Sequence, residues 1–338
     1  MNSTQAPRSG VAQACPVCDA ECGGAPLVSY TAERAALHFC PPWRDKDRNA
    51  RLLRCLRAAW PADKVDILHC DHCGFSFGSP FAGGSGEFYS ILHEQMGYPG
   101  WRWDYDVALA HPDIRRLDGG RVLDIGAGSG NFLHSLGASW EKHAIESSDT
   151  TRAVLAGRGI PAHESVSAGS LTPLRGTFDV ITLFQVLEHV SGFREVLDGC
   201  HTLLKPGGTL FITVPDGDAM RQQELMTGCP DMPPNHINRW NPSSLGVALR
   251  RAGFTPGASV QEPASWRKVG QNLYLAVLAD AARPRSVAAQ IYRIRRKSLR
   301  APLLRIVGGG LAFLRIARHG NKLRQGGAFA LAATRNAG

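Results

Sequence analysis

RVLDIGAGSGNF, residues 121–132, is an apolar run that gives way to glycine at positions 126, 128 and 130. Val122-Leu123-Asp124-Ile125 reads as a strand, and NFLHSLG, closed by Gly137, as a short amphipathic helix. Between them lies bare backbone. A strand, a glycine loop and a helix in that order leave free N–H groups at the helix's positive end, where a ligand can rest on the main chain. A tight strand-to-helix turn with no ligand has the same composition. The dinucleotide fingerprint Gly-x-Gly-x-x-Gly requires glycine at 131, where this chain has Asn131.

The alternation continues outward. WEKHAIE (140–146) predicts a second strand ending in Glu146, and TTRAVLAGRG the next helix. FDVITLFQ (178–185) and TLFITVPD (209–216) are the continuous apolar runs of strands buried on both faces. GFREVLDGCHTLL, stopped by KPGG, and NPSSLGVALRRAGF, with Pro242 in its first turn, predict helices. Strands alternating with helices imply an α/β fold with a parallel sheet and right-handed crossovers. Ligands of such sheets sit at the carboxyl ends of the strands, where Asp124, Glu146, Gln185 and Asp216 fall. GAFALAATR (327–335) reads as a final strand, which makes the basic segment before it an insertion.

At 338 residues, with 43% hydrophobic and 20% charged residues, the chain has the composition of a soluble globular protein. Its opening residues lack the order of an export signal, and no run of about 18 apolar residues occurs, so a cytoplasmic protein is expected. Seven of nine cysteines precede residue 74. CPVC (15–18) and CDHCG (70–74) are two Cys-x-x-Cys pairs, which facing each other give a four-thiolate cage suited to zinc. Cys15, Cys18, Cys70 and Cys73 are the expected ligands, with Cys22, Cys40, His69 and His72 as alternative donors. The insert PPWRDKDRNARLLRCLRAAWPAD is expected to carry a helix. No base or nucleophile of obvious use accompanies the cage, so the zinc is expected to be structural.

VLDIGAGSG, the acid Glu146, FDVITLFQVLEHV and LKPGGTLFITVPD come in order. Together they resemble the class I S-adenosylmethionine-dependent methyltransferases. LEHV and NHINRWNPSSLGVALRRAGF are similar to the branch of ubiquinone-type O-methyltransferases and bacterial small-molecule and sugar methyltransferases. Some bacterial members carry an amino-terminal four-cysteine element followed by an aromatic-rich segment, which CDHCGFSFGSPFAGGSGEFYSILHEQMGY resembles.

The resemblance implies a Rossmann-like, doubly wound sheet that binds S-adenosylmethionine. Gly126, Gly128 and Gly130 would pass under the methionine part, and Asp124 would orient the ammonium group. Glu146 would accept both ribose hydroxyls. Ser170 stands where the family commonly has an aspartate for the adenine amino group, a weaker partner. Phe184 and Gln185 would border the methyl-donating end. The expected division is a zinc-ribbon-like element (1–85), a connecting helical segment (86–118), a methyltransferase domain (119–265) and a basic helical segment (266–338).

In-line methyl transfer needs alignment, and a hydroxyl or carbon acid also needs a base. His236, in the proline-bounded PPNHINRW, is the preferred candidate; His189, in LEHV, is expected on a short helix beside Glu188. The expected acceptor is oxygen or carbon of a small molecule, glycan precursor or lipid-linked intermediate; the alternatives are a cofactor-binding module that recruits a partner without catalysis, and a nucleic-acid methyltransferase.

The net charge of +9 is uneven. Residues 281–338 hold 13 of the 38 Lys and Arg and no acid, leaving 25 bases against 29 acids elsewhere. Val287, Ile291 and Ile294 recur at helical spacing there, and APLLRIVGGGLAFLRIARHGNKLR follows, expected to break at Gly308-Gly309-Gly310. The segment suits an anionic membrane surface, or a helical pair packed on the body with a solvated basic face. Nucleic acid suits it less, since interleaved aromatics are nearly absent.

Overall fold

The computed structural model describes residues 13–94, 100–115 and 117–337. The ends of the expected amino- and carboxyl-terminal segments, and residues 95–99 and 116 of the connecting segment, lie outside them. Thirteen strands run in chain order among the described residues. They are β1 (Gln13–Ala14), β2 (Glu21–Cys22), β3 (Val28–Thr31), β4 (Lys64–His69), β5 (Ser76–Ser79), β6 (Gly120–Ile125) and β7 (Trp140–Ile145). Then come β8 (Ala162–His163), β9 (Phe178–Phe184), β10 (Leu204–Pro215), β11 (Asn238–Arg239), β12 (Phe254–Gln261) and β13 (Ala328–Arg335).

The main sheet has the order β12-β13-β10-β9-β6-β7-β8, with β13 antiparallel to both neighbours and β10, β9, β6, β7 and β8 parallel in sequence. Its apolar strands have two faces to fill. Leu123, Ile125, Ile181, Leu183 and Ile212 pack on one side. Val122, Val180, Phe184 and Phe211 pack on the other. That double burial is why these strands read as unbroken apolar runs. The strand order reverses direction between β6 and β9, the crevice where doubly wound sheets bind ligands. This is the Rossmann-like sheet expected, its final strand antiparallel.

A second sheet, β11-β5-β4-β3, joins the amino-terminal region to the loop after β10, because β11 pairs with β5. The expected helix in the insert spans Lys46–Ala59, capped by the Asp45 side chain on Arg48 N–H. Cys15, Cys22, Cys70, Cys73, Phe75 and Phe77 share one continuous core with the main sheet. Helix Pro242–Arg251 starts with a reciprocal Asn241–Ser244 capping box, and Asn241 Nδ2 also donates to Gly74 O at 2.9 Å.

Between β12 and β13 the chain makes a helical excursion. Helix Trp266–Ala281 packs through Ala276 and Val277 against Ala312 and Ile316. Two expectations are corrected here. The triple glycine breaks nothing: Gly308 and Gly309 keep helical angles, and helix runs from Lys297 to Ile316 through a π-helical turn. Gly308 is buried against Val277, where a Cβ would make ordinary van der Waals contact at 3.5 Å. The helical spacing of Val287, Ile291 and Ile294 is kept only in part: helix Val287–Tyr292 holds the first two and ends before Ile294. No helix among the described residues is long and apolar enough to cross a membrane.

Candidate active site

The glycine loop leaves β6 with Gly126, Gly128 and Gly130 all at positive φ, between 54° and 77°. A side chain at Gly126 would meet Val186 Cγ2 at 2.6 Å, and one at Gly130 would meet Leu155 Cδ2 at 2.8 Å. Both conformation and space therefore demand glycine. Glu146, one residue past β7, accepts from Gly128 N–H (3.0 Å) through Oε2 and from Ser147 N–H (3.0 Å) through Oε1. Each oxygen keeps a lone pair for a further donor.

Asp124 is buried at the end of β6 and accepts from Thr182 Oγ1 at 2.7 Å. Burial pushes its carboxyl up to about 7, against the Thr182 hydrogen bond and the attraction of Arg102. Phe184 is buried with Tyr105 and Phe132, ring centroids 4.8 and 4.7 Å away. Gln185 follows with a φ of +58°, rare for a non-glycine residue, and lines the cleft described below. Ser170 opens a short 3₁₀ helix, its hydroxyl 2.7 Å from His163 Nδ1; His163 Nε2 is 3.3 Å from His143 Nδ1. Asp216 is a helix cap, accepting from Asp218 and Ala219 N–H.

A cleft of ≈ 330 Å³ opens at this edge of the sheet. His38 and Phe39 reach it from the amino-terminal region, Arg102 from the connecting segment, and Lys268 and Gln271 from helix Trp266–Ala281. Asp231 and His236 line it from the loop after β10. Their side chains meet, His236 Nδ1 lying 2.6 Å from Asp231 Oδ1. Burial alone would lower the His236 pKa, but Asp231 and then Glu188 hold it above its ordinary value. Burial likewise opposes ionisation of Asp231, and His236 outweighs it. Burial keeps His38 neutral, down to about 4.

His189 is not helical: LEHV forms a hydrogen-bonded turn, His189 N–H donating to Val186 O at 3.0 Å. Five bonds tie this turn to the His236 loop. Ile237 and Asn238 N–H donate to Glu188 O, and Asn238 Nδ2 donates to Leu187 O and Val190 O. His189 Nδ1 lies 2.6 Å from Asn235 O, which assigns the proton to that nitrogen. Burial pushes Glu188 up to about 7, and its Oε2 has no hydrogen-bond partner among the described residues. Glu188, His189 and His236 bring one donor atom each within 4.8 Å, a set able to approach a cation.

Arg102, Asp231 and Lys268 were not legible in the sequence. Arg102 makes a two-point pair with fully buried Asp104, which also accepts from Thr213 Oγ1 at 2.8 Å. Lys268 pairs with Glu262 at 2.8 Å. The nearest signals are Arg102-x-Asp104 and Asp231 five residues before His236 in the proline-bounded loop.

The two Cys-x-x-Cys turns are near copies. Cys15 N–H and Cys70 N–H donate to Ala20 O and Phe75 O, both at 2.8 Å, while Asp19 and Gly74 N–H return to Cys15 O and Cys70 O. Asp19 and Gly74 both have positive φ, and Asp19 is held by Arg194 and Arg251. Cys15 and Cys73 Sγ are 3.7 Å apart, Cys18 and Cys70 Sγ 3.5 Å, and all four fall within 4.8 Å. Zinc–thiolate bonds of about 2.3 Å in a tetrahedron put sulfurs about 3.8 Å apart. The set fits zinc. Of the alternatives, Cys40 sits in a separate core, His72 is exposed and His69 Nδ1 is engaged with Ser76.

A family model for the methyltransferase domain matches residues 83–257, more than half of the chain. The chain belongs to that family, and its fold is that of the class I S-adenosylmethionine-dependent methyltransferases. It is similar to the ubiquinone biosynthesis O-methyltransferase of Azotobacter vinelandii, 34% identical over 107 residues, which are 29% of this chain and 45% of that one. The enzyme of that name from Ralstonia nicotianae is 30% identical over 156 residues, 41% and 65% of the two chains. The chain thus spans 45% and 65% of these curated relatives. A S-adenosylmethionine-dependent methyltransferase structure from Archaeoglobus fulgidus covers 73% of this chain and 100% of its own at 17% identity and a TM-score of 0.43.

Proposed function

We propose that the chain transfers a methyl group from S-adenosylmethionine to oxygen or carbon of an acceptor held in the ≈ 330 Å³ cleft. The acceptor class is a small molecule, a sugar or glycan precursor, or a lipid-linked intermediate. The observation that carries this reading is the Asp231–His236 pair in the wall of a cleft at the glycine-loop edge of the sheet. When bound, the cofactor supplies an activated methyl on a sulfonium.

The chain's part is to hold, orient and deprotonate. Asp124, Glu146, Gly126, Gly128 and Gly130 would hold the cofactor's ammonium, ribose and methionine backbone, and Ser170 its adenine. Gln185, beside buried Phe184, borders the acceptor side. His236 would take the acceptor's proton at the nitrogen not facing Asp231, with the charge of Asp231 strengthening it as a base. His189 would position the His236 loop through Asn235 O. We assign structural zinc to Cys15, Cys18, Cys70 and Cys73, and divide the chain at 85, 118 and 265, with β13 of the last segment returning to the methyltransferase sheet.

The test uses purified protein, methyl-labelled cofactor and fractionated small-molecule extract. A labelled product with wild type and none with His236→Ala, at unchanged S-adenosylhomocysteine affinity, is the expected result. Equal labelling by the variant defeats the assignment of the base.

A further inference from the structure

The excursion between β12 and β13 has a surface that catalysis does not use. Along the helix from Lys297 to Ile316, the inner face is made of Gly308, Ala312 and Ile316, buried on helix Trp266–Ala281. The outer face is also apolar. Leu299, Leu303, Ile306, Leu311, Phe313 and Leu314 are all exposed, Ile306 and Leu314 by 75% and 77%. At helical pitch these six fall within one arc of the circumference. An apolar stripe of this length on one exposed element is rare on a monomer's surface and marks a contact site.

Charge chooses the occupant. Arg295, Arg296 and Lys297 stand at one end of the stripe and Arg318 and Lys322 at the other, all exposed. No acid occurs from residue 281 to the carboxyl end. A second copy of the chain would set this basic collar against itself. Nucleic acid would want stacking aromatics, and Phe313 is the single aromatic in the stripe. We propose that the helix from Lys297 to Ile316 lies in the surface of an anionic lipid bilayer. Its exposed aliphatic side chains sink to the acyl boundary and the bracketing Arg and Lys reach the headgroups. The helix lies outside residues 83–257, so this property belongs to the chain's own excursion rather than to the matched family domain.

The test is co-sedimentation of the full-length protein with vesicles of phosphatidylcholine alone and of phosphatidylcholine with phosphatidylglycerol. Binding to the anionic vesicles is expected to exceed binding to neutral ones by about tenfold. It should fall as salt rises from about 0.1 M to about 0.5 M. Ile306→Asp with Leu314→Asp removes apolar side chains that already face solvent, so the variant keeps its circular dichroism spectrum and its S-adenosylhomocysteine affinity. Its vesicle binding is expected to drop by about tenfold or more. Arg295→Glu with Arg296→Glu should weaken anionic binding and leave neutral binding unchanged. The proposal is overturned by wild-type protein that stays in the supernatant, or by an aspartate variant that binds vesicles as well as wild type. A wild-type dimer that the aspartate variant dissolves would give the stripe to a second copy. Release from vesicles by single-stranded DNA, with DNA binding that survives the aspartate variant, would give the basic segment to nucleic acid.

Discussion

Asp231 Oδ1 lies 2.6 Å from His236 Nδ1 in the cleft wall, an ion-pair contact between two half-buried side chains. Each group holds the other's charge against the cost of burial. The pair's contribution to folding is fullest above the unfolded Asp value of about 3.9 and below the unfolded His value of about 6.5. It fades as pH falls through the depressed carboxyl, and as pH rises through the raised imidazole.

That relationship sets a pH signature. A base must be neutral to accept a proton, so the acid limb of kcat is expected above the ordinary histidine value. Asp231→Asn removes the larger raising charge and leaves only Glu188 against burial, so the limb should move to lower pH. His236→Ala should cost about 10²–10⁴-fold in kcat while cofactor affinity holds. A pH–kcat profile for Asp231→Asn superimposable on wild type would remove Asp231 from this role.

Asp124 makes a second prediction, with the opposite sense. Its folded value is about 7, against about 3.9 in the unfolded chain. Between those values the folded protein keeps a proton that the unfolded chain has released, so ligand-free stability should fall as pH rises through that window. An ammonium ligand favours the ionised form, so S-adenosylhomocysteine should bind more tightly from about pH 6 to about pH 8 and release a proton near pH 6.5. Asp124→Asn should weaken binding by about ten- to a hundredfold and flatten the pH dependence. Calorimetry in buffers of different ionisation heat reads both effects.

Gly130→Ala should damage fold and site together. The added methyl meets Leu155 Cδ2 at 2.8 Å, and alanine resists the φ of +77°. A loss of about 1–2 kcal/mol in denaturant unfolding is expected from the backbone alone. Gly157→Ala is the control, since its Cβ meets nothing within 4 Å and its backbone is helical. Equal stability of the two variants would contradict the assigned strain.

The four-cysteine centre predicts one zinc per chain by metal analysis and its loss in Cys70→Ser. Because these cysteines share the core of the main sheet, chelation should lower the melting temperature of the whole protein rather than melt one end. Cys40→Ser, in a different cluster, should leave the zinc content intact. Zinc content unaffected by Cys70→Ser would refute the centre.

Much of the glycine-loop edge was legible from local pattern. Asp124, the three glycines and Glu146 each sit at a strand end or turn whose sequence announces it, and the structure gathers them at one edge. The cleft wall was not. His236 stood out as a histidine in a proline-bounded loop, but Asp231 carries no local signature of its contact with it. Arg102 and Lys268 come from segments 166 residues apart, with only the folded sheet between them. His189 shows the limit of motif reading: LEHV resembles a helix start, yet its turn is dictated by hydrogen bonds to Asn238, 49 residues on.

By itself the sequence determined the alternation of strands and helices, the glycine turn and the spacing of the cysteine pairs. These follow from burial periodicity and backbone conformation, which are properties of neighbouring residues. Tertiary structure alone decided which polar groups face one another in the cleft. It also decided that the helix continues through Gly308 and Gly309 instead of ending there, and that the helix from Lys297 to Ile316 turns an apolar face to solvent. Those outcomes depend on which surface another element covers, and a chain's local pattern carries no record of that.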